Sequence, residues 1–176
     1  MPVNNKEAVN GKDAVNGKTD GTRASILLVD DEQMVVTSIQ AFLELDGHFD
    51  VFGFTDPPEA LRFAQSQRVD VAICDYRMPV LNGLQLLRQI KEAQPEAARI
   101  LLTSHADARS AIDAINQVGL FQYLEKPWDN EQLLLVIQSG VERSRLLRQL
   151  REQVGELDSA YNVIKSAQSR LIRAFL

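Results

Sequence analysis

Five short apolar runs that alternate with helical stretches constrain this chain more than any other feature. The runs are SILLVD (25–30), FDVFGF (49–54), VDVAICD (69–75), ARILLTS (98–104) and FQYLEKP (121–127). Between them, residues 34–46, 56–67, 83–93 and 107–117 carry helical patterns, and a further helix follows the fifth run. Gly47 and Gly119 mark two helix ends, while Asp56 followed by Pro57 marks a helix start. Strands and helices in strict alternation imply parallel strands joined by right-handed crossovers. Helices then cover both faces of the sheet, which explains why ILLV and VAI stay apolar instead of alternating with polar residues. The expected fold is α/β, a doubly wound five-stranded parallel sheet.

In such sheets a ligand sits beyond the carboxyl ends of the strands. The first run ends in Asp30-Asp31, the third in Asp75, the fourth in Thr103-Ser104 and the fifth in Lys126-Pro127. Three carboxylates, a hydroxyl and an ammonium should therefore share one rim. Two carboxylates about 4 Å apart repel by roughly 1 kcal/mol in water and roughly 4 near a protein surface. A cation relieves that repulsion, and oxygen ligands on turns suit Mg²⁺. The expected ligands are Asp30, Asp31, Asp75 and the backbone carbonyl of Arg77. Asp75 is central, so it is the candidate nucleophile for phosphoryl transfer, with Thr103 and Lys126 placed to bind the transferred group.

LLVDDE, CDYRMPVLNG, LLTS and YLEKP, in that order and spacing, resemble the motifs of the response-regulator receiver domain of two-component signal transduction. The resemblance covers about residues 25–140 and implies a flavodoxin-like sheet of order 2-1-3-4-5. It implies that Asp75 accepts phosphate from a histidine kinase, that Asp30 and Asp31 hold Mg²⁺, and that Lys126-Pro127 is a cis peptide. It implies a switch in which Thr103 moves toward the phosphate and the Tyr123 ring turns inward. Arg77 and His105 occupy the two positions that tune phosphate lifetime in this family. By the same resemblance the chain is a signalling receiver, an enzyme only toward its own phosphorylation and dephosphorylation.

The flanks read differently. Residues 1–24 repeat with period six (VNNKEA, VNGKDA, VNGKTD), too polar to bury a core, and are expected to be a disordered leader. The net charge of -5 divides into +1 over residues 1–25, -9 over 26–140 and +3 over 141–176. An acidic middle argues against direct nucleic-acid binding. No membrane span or signal peptide is visible, and the single cysteine, Cys74, fits a reducing compartment as a small core residue; the expected location is the cytoplasm. His48 reads as a loop residue and Trp128 as an anchor at the start of the last helix.

From Leu133 to Leu176 there is no proline. Leu147, Val154, Tyr161, Gln168 and Phe175 recur every seven residues, and Leu150, Leu157, Ile164 and Leu171 form a second series. This a/d pattern predicts that residues 141–176 continue the last helix as a parallel coiled coil, with a homodimer formed through 147–175. Gly140 reads as a hinge, and Gly155 falls on the outer face. Residues 141–176 hold no helix-turn-helix, nucleotide-cyclase or phosphohydrolase motif, so the coil is expected to transmit the signal to an output domain absent from this chain. The KPW ending followed by a coil resembles receivers that precede HD-GYP and other cyclic di-GMP output domains. Two alternatives stand beside this reading. One is a receiver-only adaptor acting by protein binding. The other is a Mg²⁺-dependent phosphatase, disfavoured because Arg77 stands where a second acid is needed.

Overall fold

The computed structural model describes residues 23–104, 107 and 118–174, with side chains through 170. Its sheet has the order β2-β1-β3-β4-β5. The strands are β1 (Ala24–Val29), β2 (Phe49–Phe54), β3 (Val71–Asp75), β4 (Ala98–Ser104) and β5 (Gln122–Lys126). All four pairings are parallel. Among the described residues, three helices lie between strands: α1 (Gln33–Asp46), α2 (Pro57–Ser66) and α3 (Gly83–Ala93). A single helix, α4 (Asn130–Ala174), follows β5. The expected leader and most of the expected helix over 107–117, with His105 just before it, lie outside the described residues.

Consecutive strand residues face opposite sides of the sheet, and this sorts the apolar runs into two cores. Ile26, Leu28, Ile73, Ile100, Leu102 and Leu124 pack under α1 and α4, against Ile39, Leu43, Leu133 and Ile137. Leu27, Val29, Cys74 and Leu101 pack on the other side under α2 and α3, against Ala60, Leu86 and Ile90. Every position of ILLV is thus interior, as a sheet covered on both faces requires. Trp128 packs against the first core, as an anchor should.

Local signals end the elements where the sequence places them. Gly47 closes α1 at φ 76, and Asp56 caps α2 by accepting from the Glu59 N–H at 3.2 Å. Helix α3 begins in a capping box. Asn82 Oδ1 accepts from the Gln85 N–H at 2.9 Å, and Gln85 Oε1 accepts from the Asn82 N–H at 3.1 Å. Just upstream, exposed Val80 stands at φ 69, a conformation that β-branched residues avoid.

Helix α4 descends the sheet from the carboxyl ends of the strands toward their amino ends. Gly140 does not interrupt it. A Cβ there would stand 3.1 Å from Ala98 Cβ and 3.3 Å from Val71 Cγ2, so glycine lets the helix press close to the strand starts. Below that point Arg148 Nη1 donates to Asp70 Oδ1 at 2.8 Å, and Arg151 pairs with Glu96. Asp70 is buried and also accepts from the Ser25 N–H at 3.0 Å and from Arg68 at 3.2 Å. Burial pushes its carboxyl up, but Arg148, the Ser25 amide and Arg68 together outweigh it and hold the pKa below the ordinary value. From residue 151 to 170 every side chain of the helix is exposed.

Candidate phosphoacceptor site

Strand geometry brings the three carboxylates together. Asp30 directly follows β1 and Asp75 ends its neighbour β3, and each of the three carboxylates offers an oxygen within 4.8 Å of the others. Asp30 is fully buried, Asp75 nearly so, and Asp31 faces solvent. Lys126 reaches across from β5: its Nζ lies 2.8 Å from Asp30 Oδ2 and 2.7 Å from Asp75 Oδ1. Local amides take the remaining oxygens. The Glu32 N–H donates to Asp30 Oδ1 at 2.9 Å, and the Arg77 N–H donates to Asp75 Oδ2 at 2.9 Å. The Lys126-Pro127 peptide is cis.

These contacts set the electrostatics. Burial pushes the Asp75 carboxyl above the usual carboxylate range; Lys126 pulls it down and the Asp30 charge adds to the rise. Burial pulls the Lys126 ammonium down, but the hydrogen bonds and charges of Asp30 and Asp75 prevail and raise its pKa. The lysine is therefore a fixed positive charge beside the central carboxylate.

Of the other expected residues, Thr103 stands near the end of β4 and Arg77 just beyond β3, on the same edge of the sheet. Thr103 is fully buried near the end of β4, next to β5, and its hydroxyl makes a 3.3 Å bond to the Ser104 carbonyl. Tyr123 is half-buried on β5 and packs against the core under α2 and α3. The Arg77 side chain turns to Asp107, which the sequence pattern places at a helix start and which no spacing rule singles out. His105 lies outside the described residues. An all-oxygen set of three converging carboxylates fits a hard divalent cation.

The family model described as the response regulator receiver domain matches residues 26–138. This chain belongs to the response regulator receiver family. A receiver domain from Clostridium thermocellum is 39% identical and superposes with a TM-score of 0.66, over 70% of this chain and 98% of that one. The signal receiver domain of an HD domain-containing protein from Pseudomonas fluorescens Pf-5 is 32% identical, with a TM-score of 0.65 over 70% of this chain and 98% of that one. Among curated relatives, the hydrogenase transcriptional regulatory protein HoxA of Cupriavidus necator is 30% identical over 148 residues, covering 84% of this chain. This receiver chain spans 30% of the length of HoxA. Receivers are signalling modules rather than catalysts acting on other substrates. Among the described residues, no helix is long and apolar enough to cross a membrane.

Proposed function

We propose that this receiver takes a phosphoryl group from a histidine kinase onto Asp75 and passes the change along α4 in a dimer. The observation that carries the first half is the double grip of Lys126 on Asp30 and Asp75 at the strand ends. One Asp75 oxygen forms the new O–P bond as the donor's bond to phosphorus breaks and the leaving group departs with the electron pair. The Lys126 ammonium and the Thr103 hydroxyl receive the transferred oxygens. Asp30, Asp31, Asp75 and the Arg77 carbonyl would hold Mg²⁺, which would supply further positive charge at the site. Thr103 and Tyr123 form the switch, and Arg77 with His105 governs lifetime. With Mg²⁺ and acetyl phosphate, intact mass spectrometry should register one added phosphoryl group; no addition would refute the reading.

The receiver unit proposed here covers residues 25–140 and the coil 141–176. The coil is supported by what α4 leaves uncovered. Leu150, Val154, Leu157, Tyr161 and Ile164 are 49–69% exposed along one a/d stripe. A helix folded back on its own domain would have buried them. A second copy offers a stripe of matching spacing, and a parallel pair buries it. Changing Leu150 and Leu157 to serine should raise the dimer dissociation constant at least about tenfold, since burying a leucine is worth roughly 1.5–3 kcal/mol. Sedimentation equilibrium measures this, and an unchanged mass distribution would refute the coil. HoxA is a transcriptional regulatory protein and the Pseudomonas neighbour comes from an HD domain-containing protein, so both kinds of output are carried by similar receivers.

A further inference from the structure

One carboxylate, Asp107, ties together the neighbours of the two groups that would handle phosphate. Its Oδ1 accepts from Arg77 Nη2 at 2.6 Å and its Oδ2 accepts from Ser104 Oγ at 2.5 Å. Arg77 stands two residues past Asp75, and its own N–H donates to Asp75 Oδ2 at 2.9 Å. Ser104 follows Thr103 directly. The Arg77 side chain is 74% exposed, whereas that of Asp107 is only 11% exposed, so the guanidinium is the member free to swing.

We propose that Asp107 is a positioning residue that parks the Arg77 guanidinium at the wall of the mouth, and that an incoming phosphodonor or the Asp75 phosphoryl group draws it off. This rests on the reading of Asp75 as phosphoacceptor. A guanidinium fork pairs with carboxylate or phosphate oxygens in the same two-pronged manner. A phosphoryl dianion carries twice the charge of Asp107, so it competes for the fork once it arrives. When Arg77 leaves, Asp107 retains Ser104 alone, and the occupancy of the mouth is registered at the residue beside Thr103.

Acetyl phosphate is the probe. An Asp75 oxygen bonds to phosphorus as the P–O bond to the acetyl carboxylate breaks; acetate departs with the bonding pair and no proton is exchanged. Phosphoryl gain of the full chain with Mg²⁺ is followed by intact mass over a range of donor concentrations in four proteins: parent, Asp107→Asn, Arg77→Met and the double variant. Asp107→Asn should lower the half-saturating donor concentration about threefold with little change in the maximal rate, and added salt should shrink the difference. In the Arg77→Met background, Asp107→Asn should change nothing. The same shift in both backgrounds would overturn the proposal, because Asp107 would then act by its own charge or through folding; so would no shift in either. A parent chain that gains no phosphoryl group removes the Asp75 reading, and this inference falls with it. A parent that gains one but shows no dependence on Arg77 removes this inference alone.

Discussion

Asp75→Asn is expected to leave the receiver folded, unable to gain a phosphoryl group, and more heat-stable than the parent at neutral pH. The amide has the volume of the carboxylate and keeps one accepting oxygen, which serves either Lys126 or the Arg77 N–H but not both, so packing survives with one of these two bonds lost. The nucleophilic oxygen is gone, so the gain in mass should vanish. The stability change follows from the raised Asp75 pKa, whose main cause is burial. A carboxyl that titrates higher in the folded chain than in the unfolded one favours folding while protonated, below the unfolded value. That advantage is lost as pH rises through the folded pKa, leaving an ionised, half-desolvated group that disfavours the fold at neutral pH. Removing this charge should return on the order of 1 kcal/mol, or about 2–4 °C in melting temperature. Melting curves at several pH values provide the check: the parent should gain on the variant as pH falls toward the folded pKa of Asp75. A variant that melts lower than the parent at pH 7 would mean that the Lys126 attraction outweighs burial.

Gly83→Ala should be the most damaging single-methyl change near the site. A Cβ on Gly83 would lie 2.1 Å from the Asp75 carbonyl oxygen and 3.0 Å from Leu101 Cδ1. The obstacle is backbone, which cannot rotate aside as a side-chain tip can. The Gly83 N–H also donates to the Tyr76 carbonyl at 3.1 Å, pinning α3 against the end of β3. Relief requires the helix and strand end to separate, with a cost of about 2–3 kcal/mol, near 5–10 °C in melting temperature. Because the displaced atoms belong to Asp75, phosphoryl gain should slow in the same variant. A melting temperature within a degree of the parent would contradict the packing described above.

The strands were legible because each is a short run bounded by helix signals. FDVFGF and ARILLTS coincide with β2 and β4 to the residue, β1 and β5 differ from their runs by one position at each end, and β3 starts two positions later than its run. The carboxylate cluster was legible for the same reason: strand ends in a parallel sheet converge, so naming the last residue of each run names the rim. Side-chain direction was not legible. The sequence places Arg77 and Asp107 thirty positions apart, and only the fold turns one toward the other. The floor of the sheet escaped notice for a related reason. Asp70, in VDVAICD, reads as the start of a strand, and nothing local reveals that Arg148, 78 residues on, will reach it. Gly140 misled because a glycine in a helix signals flexibility unless its neighbours across the interface are known.

The path of α4 separates the domain into two poles. The acidic mouth opens at one end of the strands, and the helix leaves the sheet at the other, past Arg148 and Arg151. A protein docked over the mouth and a protein clasping the free part of the helix would occupy opposite hemispheres. On the function proposed above, neither would have to dissociate before the other arrived, and a donor would reach an already assembled complex without taking it apart.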